Sequence, residues 1–260
     1  ETKTDSPFAA LHSDCLSFLY PIHFSLQIRL YHRAQPSCHD RRQNAENIIR
    51  RHLRQAVNQI MRYKKHSYIG LYRYIQCFVV SNGVDTKYFA NSDKDILYSL
   101  TFFWTDENNI RITNLKEFSI AFFAKDQLTR LLTRYTVLND SEKAIMIMRP
   151  YQVYAASRLI DRALFSDKNA YVWHTTGSGK TLTSFKVAQV LAKESRIKKV
   201  IFLVDRKDLD SQTMEEFNKF EQGSVDVTDN TGILVNQMKK KDVHLIVTTI
   251  QKMSNAVKTP

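Results

Sequence analysis

Apolar and polar positions follow no clean period in the first part of this chain and become regular from Ala45 onward. Residues 16–31, Leu16 to Tyr31, are apolar enough for a strand or a short helix but show no repeat and no caps. Residues 46–66 then set Ile48, Ile49, Leu53, Ala56, Val57, Ile60 and Met61 on one broad helix face, with Arg50, Arg51, Arg54, Arg62 and Lys64 among them. That spacing predicts a basic amphipathic helix. Ile75 to Val80 is a buried-strand run, Ser81-Asn82-Gly83 is a turn signal, and Lys87 to Ala90 reads as the returning strand of a hairpin. Ser99 to Trp104 predicts a third strand, closed by the polar turn Asp106-Glu107-Asn108-Asn109. Residues 114–135 predict a helix with Leu115, Phe118, Phe122, Leu128, Leu131 and Leu132 inward. Met148-Arg149-Pro150-Tyr151 breaks that pattern and opens a new helix through Leu164.

Beyond this point strand and helix alternate. Ala170–His174, Lys199–Val204 and His244–Thr249 read as strands, and Thr181–Lys193 and Leu209–Phe220 as helices. Alternation at this spacing means strand–helix–strand units and a parallel sheet covered on both faces. No internal repeat is visible. The fold class expected is α/β.

Composition adds one feature to that picture. The 260 residues are 43% hydrophobic with only 6 Gly and 5 Pro, which fits a globular chain and excludes low-complexity or collagen-like sequence. The net charge of +12 and pI near 9.5 point to a polyanionic partner, most commonly nucleic acid, over a surface that is basic for solubility alone. Cys15, Cys38 and Cys77 are odd in number, far apart and never in a CxxC pair, so neither a disulfide framework nor a zinc site is indicated, and a reduced, cytoplasmic setting is expected. No run of about 18 apolar residues exists, so no membrane span is expected. The chain opens on Glu1 with no signal pattern, as a processed or partial product would.

The densest chemistry lies in Tyr171-Val172-Trp173-His174-Thr175-Thr176-Gly177-Ser178-Gly179-Lys180-Thr181. Glycines at 177 and 179 let the backbone wrap an anion with its N–H groups, and a helix starting near Lys180 adds its positive N-terminal end. Thr175, Thr176, Gly177, Ser178 and Gly179 are the candidate cradle, Lys180 the cation for the β- and γ-phosphates, and Thr181 the hydroxyl ligand of a nucleotide-bound Mg2+. His174 stands where the GxxxxGK[ST] pattern has its first glycine. Upstream, Gln152 in Arg149-Pro150-Tyr151-Gln152 is the candidate adenine reader, since an amide offers one donor and one acceptor to the N6/N7 edge.

From about Gln55 onward the chain closely resembles the restriction (motor and nuclease) subunit of type I restriction-modification enzymes. The resemblance is carried by 56–63, 80–91, Met148–Gln152, Trp173–Phe185, Val204-Asp205-Arg206-Lys207-Asp208-Leu209 and Thr248-Thr249-Ile250-Gln251-Lys252. It implies a restriction-endonuclease-like mixed sheet followed by part of a RecA-like parallel-sheet domain: residues 45–145 a remnant of the nuclease domain, residues 146–260 the first part of an ATP-driven, superfamily 2 helicase-like motor. It implies ATP and Mg2+ as cofactors. It implies double-stranded DNA as partner, touched on its backbone by Arg206, Lys207, Thr249 and Gln251, with methylase and specificity subunits alongside. Backbone contact suits sliding, because phosphates carry no sequence information.

Of the nuclease pattern Asp, Glu-x-Lys, Gln-x-x-x-Tyr that the resemblance implies, Gln59 and Tyr63 are present, one helical turn apart. Glu46 falls near the expected Glu-x-Lys, but Ile48 stands in the lysine position. Residues 1–44 look foreign to the family, either a frame-shifted segment or a divergent lineage. No acidic box follows Gln251, so a truncated motor is expected, inactive on its own. Two other readings stay open: a non-catalytic module that binds ATP or DNA or docks on the methylase, and a superfamily 2 helicase fragment outside restriction.

Overall fold

The computed structural model describes residues 25–30, 43–92, 98–139, 144–204 and 231–258. It is a mixed α/β chain whose contacts fall into two compact units, Glu1–Thr133 and Arg134–Pro260. The boundary expected between residues 145 and 146 therefore lies about a dozen residues from the break in contacts.

In the first unit, β1 (Ser25–Leu30) runs parallel to β2 (Ile75–Ser81), and β2 pairs antiparallel with β3 (Thr86–Ala90). The segment 16–31, ambiguous in sequence, thus contributes a strand. Helix α1 (Gln43–His66) crosses over between the two parallel strands. The turn residues act as their chemistry predicts. Asn82 Oδ1 accepts from the N–H groups of Val84 and Asp85, Gly83 takes a φ of 91°, and the buried Ser81 and Thr86 hydroxyls bond each other at 2.8 Å. Strand β2 is covered on both faces. Leu53, Ala56, Val57 and Ile60 of α1 pack with Phe78, Val80 and Phe89. On the face of Tyr88, an aromatic cluster brings Phe118 to 4.7 Å from Phe122 and sets Trp104 edge-on to Phe122 at 5.2 Å.

Two sequence expectations change here. The predicted strand 99–104 shrinks to β4 (Trp104–Thr105), paired with β5 (Arg111–Ile112) and preceded by a single bridge between Tyr88 and Phe102. Thr101 turns its N–H and its hydroxyl back onto the Tyr98 carbonyl, and this curls the first half of the run into a 3-10 turn. The predicted helix 114–135 is two helices, α2 (Leu115–Phe122) and α3 (Lys125–Thr133). Its apolar rhythm lapses between Phe122 and Leu128, where Lys125 and Asp126 are exposed, and the chain turns there.

The second unit opens on a hairpin that sequence pattern did not disclose, β6 (Thr136–Asn139) against β7 (Ala144–Ile147). Then come α4 (Pro150–Phe165), α5 (Lys180–Ala192), β8 (Val200–Val204), α6 (Thr231–Lys239), β9 (Leu245–Thr249) and α7 (Ile250–Lys258). Strands β8 and β9 are parallel, Val200 opposite Leu245 through Val204 opposite Thr249, as the alternation predicted. Val137, Phe185, Val204 and Val247 form a core joining hairpin, helix and sheet. The buried Lys186 ammonium donates to the Thr136 carbonyl and Gln189 Oε1, both at 2.8 Å, and ties α5 to β6. The predicted helix 209–220 lies outside the described residues.

The predicted strand Ala170–His174 does not form. Its backbone enters no ladder, and Tyr171 and Trp173 are each 88% exposed. A strand exists only where a neighbour takes its N–H and C=O groups. The two strands of the parallel sheet pair with each other, and neither pairs with this stretch.

Candidate nucleotide-phosphate site

The loop before α5 is built on two left-handed glycines, Gly177 at φ 73° and Gly179 at φ 79°. Gly179 is also the N-cap of α5, so the helix begins at Lys180 as the sequence indicated. The first turn of a helix leaves its N–H groups without intrahelical acceptors, and α5 carries no acid in that turn to repel an anion. The Lys180 side chain is exposed and Thr181 half-buried beside it, while Thr175, Thr176 and Gly177 are exposed along the loop. Ser178 closes the turn from within: its N–H and hydroxyl both meet the Thr175 carbonyl, the hydroxyl at 2.7 Å. These donors and this cation fit a polyphosphate with its magnesium ion.

Helix α4 reaches this loop with its first turn. Arg149 caps it, Pro150 occupies the first position, and Gln152 is 3% exposed. The Gln152 amide is fully engaged. Oε1 accepts from the Arg149 N–H at 2.9 Å, and Nε2 donates to the carbonyls of Ser178 at 3.0 Å and Gly179 at 3.5 Å. The neighbouring Tyr151 hydroxyl donates to the same Ser178 carbonyl at 2.7 Å. The His174 ring, in place of the pattern's first glycine, stands edge-on to Tyr151 at 5.8 Å between centroids. A Cβ at Gly179 would collide with the Gln152 amide nitrogen. Sequence reasoning gave Gln152 a role and Tyr151 none, and noted His174 only as a departure from the glycine pattern. Their only signal was adjacency, to the glutamine and to the glycines.

The remaining candidates fall elsewhere. Gln59 and Tyr63 are joined on α1, with Gln59 Nε2 donating to the Tyr63 hydroxyl at 3.0 Å, and Tyr63 stacks on Tyr68 at 6.4 Å. Among the described residues no three His, Cys, Asp or Glu side chains gather as a metal site. Thr249, at the end of β9, is fully buried, and its hydroxyl accepts from the Lys252 N–H at 3.2 Å as the cap of α7. Gln251 is exposed on the first turn of that helix. Arg206 and Lys207 lie outside the described residues. No described helix is long and apolar enough to cross a membrane.

Comparison with known proteins gives the site a class. A family model described as SWI2/SNF2 ATPase matches residues 151–259, which contain the whole loop. A second, described as the N terminus of the type I restriction enzyme R protein, matches residues 44–95. The chain is 56% identical over 205 residues to the endonuclease subunit of a type I restriction enzyme of Staphylococcus saprophyticus, covering 79% of this chain and 22% of that relative. A counterpart in Staphylococcus aureus strain COL is 55% identical over the same shares. A Mycoplasma pneumoniae protein, named as the C-terminal part of such an endonuclease subunit, is 37% identical over 170 residues, 59% of this chain and 80% of that protein. The chain belongs to the family of type I restriction enzyme endonuclease subunits, and it spans 22% of the length of the staphylococcal members.

Proposed function

We propose that this chain contributes the nucleotide-binding part of an ATP-driven DNA translocase within a type I restriction endonuclease. The observation that carries this reading is the loop itself, two left-handed glycines leading into Lys180 at the start of α5. Lys180 compensates charge on the β- and γ-phosphates, and the Thr181 hydroxyl supplies one ligand to magnesium. A magnesium ion held there would supply charge neutralisation for the phosphates. Residues 146–260 are read as part of a RecA-like motor, and residues 45–145 as a remnant of a nuclease domain in which Gln59 and Tyr63 belong to the catalytic pattern. Double-stranded DNA is the substrate, and methylase and specificity subunits are the partners. Arg206, Lys207 and Gln251 are assigned to the DNA backbone, and Thr249, assigned there by the same motif, caps the helix that carries Gln251.

The first test is calorimetric titration of the chain with Mg-ATP. The parent chain is expected to bind, and Lys180→Ala to lose at least about tenfold in affinity, as removal of a charge-assisted contact of roughly 1.5–3 kcal/mol requires. Equal affinities for parent and variant would remove the phosphate-loop assignment.

A further inference from the structure

Five side chains that stand far apart in the sequence form one alternating row on the first unit. The Arg54 guanidinium, on α1, lies 5.5 Å from the centre of the Tyr98 ring. The Lys87 ammonium, on β3, lies 4.6 Å from the same ring and 4.7 Å from that of Phe103. The Arg111 guanidinium, on β5, completes the row 5.5 Å from Phe103. Strand geometry explains the meeting point. Lys87 shares a face of β3 with Phe89, two residues on, and Phe89 packs against α1. The Lys87 ammonium also donates to the Thr101 hydroxyl at 3.5 Å, and that hydroxyl bonds the Tyr98 carbonyl.

Exposed arginines alone are ordinary solvation, and what exceeds it here is how these two are mounted. A ring attracts a cation through its quadrupole without using up the cation's N–H donors. Arg54 and Arg111 are exposed, and among the described residues neither is paired with a carboxylate. Asp106, in the turn before β5, engages Oδ1 with the N–H groups of Asn108 and Ile110 instead. Each guanidinium therefore keeps its fork of donors for a ligand, and a phosphate takes such a fork bidentately. Each ring is already approached by two cations, so it serves as a mount for charge and not as a platform for a base. A row that repeats cation after cation fits a polymer that repeats phosphate after phosphate, in keeping with the net charge of +12.

We propose that Arg54, Lys87 and Arg111, mounted on Tyr98 and Phe103, form a phosphate-binding row that holds the backbone of double-stranded DNA on the first unit. The row gives affinity and no sequence preference, because phosphates carry no sequence information. The proposal rests on the reading of DNA as the substrate and adds a surface away from the motor motifs.

The experiment follows binding of two unrelated duplexes by fluorescence anisotropy, from about 50 to about 200 mM salt, with poly-glutamate as competitor and melting of each chain by circular dichroism. Arg111→Gln leaves α1 untouched. It is expected to flatten the slope of log affinity against log salt by about 0.9, and Arg54→Gln with Arg111→Gln by about twice that. Arg111→Lys keeps the charge and loses the fork, so the slope is expected to stay and the affinity to fall about three- to tenfold. Phe103→Leu is expected to keep the slope and to weaken binding about two- to fivefold, since the cations lose their mount. Parent affinity and slope in Arg111→Gln, or full affinity in both Arg111→Lys and Phe103→Leu, would overturn the row and leave DNA binding elsewhere on the chain. Losses that merely follow lower melting temperatures would also overturn it. So would an Arg111→Gln chain that binds both duplexes like the parent and no longer responds to poly-glutamate, which would mark an acidic protein surface as the occupant. A parent chain that binds neither duplex at any salt would overturn the DNA reading and the row with it.

Discussion

Cys77 shows how strongly one position is fixed by its surroundings. It sits in the central strand β2, 1% exposed, and burial pushes its thiol up from 9.0 to about 12, a backbone hydrogen bond from Phe89 offsetting part of the effect. A thiol pKa that is higher folded than unfolded means that folding favours the protonated form. Its contribution to stability is complete below pH 9 and is lost as pH rises from there toward 12. The same burial removes the thiolate that alkylating reagents attack. Iodoacetamide at mildly alkaline pH is expected to leave the Cys77 peptide unmodified in the native chain and to label it fully in urea, as read by peptide mass. Native labelling at the urea rate would contradict the packing of β2. At this scale the sequence was legible where a residue's intrinsic conformation decides its place. Gly83, Gly177 and Gly179 all adopt the positive φ that their turn contexts predicted. It was not legible at Tyr151, because a hydroxyl meeting a carbonyl 27 residues away leaves no local trace.

Among the elements, α1 is the one whose periodicity spoke most clearly. Leu53, Ala56, Val57 and Ile60 are buried as predicted, and Arg51, Arg54, Arg62 and Lys65 are exposed on the other side. That face suits a duplex backbone, although exposed charge on a helix is also ordinary solvation. Counterion release separates the two. Each phosphate neutralised contributes about −0.9 to the slope of log affinity against log salt. Fluorescence anisotropy with unrelated duplexes, from about 50 to about 200 mM salt, is expected to show a steep, sequence-independent loss. Replacing Arg51, Arg54 and Arg62 by Glu is expected to weaken binding and flatten that slope. A salt-independent affinity, or an unchanged slope in the triple variant, would leave the face as solvation only. Elements that depend on tertiary neighbours were harder to read. The 136–147 hairpin offers two strands of four residues each, too short for a period to declare itself. The run 170–174 has the composition of a strand, and among the described residues no strand pairs with it.

For the molecule as a whole, binding a nucleotide and turning it over are separable, because they require different groups. The loop offers backbone donors, Lys180 and Thr181, which hold the phosphates and magnesium of the ground state. Rapid hydrolysis further needs an acidic group to place the attacking water, and an arginine at the developing charge worth about 10³–10⁵ in rate. Between β9 and Pro260 the sequence contains no Asp or Glu at all. In the first unit, Gln59 and Tyr63 bond each other, and Ile48 stands where the resemblance to the nuclease pattern led us to expect a lysine. Metal-assisted cleavage draws on carboxylates to hold the ion and a base or cation to prepare the water. These 260 residues alone are therefore expected to bind Mg-ATP, to release phosphate far more slowly than a motor, and to leave plasmid DNA intact. The measurement incubates the chain with supercoiled plasmid, magnesium and ATP, with and without methylase and specificity subunits, following linear product on a gel and phosphate release in parallel. Robust linear product from the chain would show that the nuclease unit gathers its metal ligands in a way its sequence conceals. Rapid phosphate release that Lys180→Ala abolishes would place a complete hydrolytic site within the second unit.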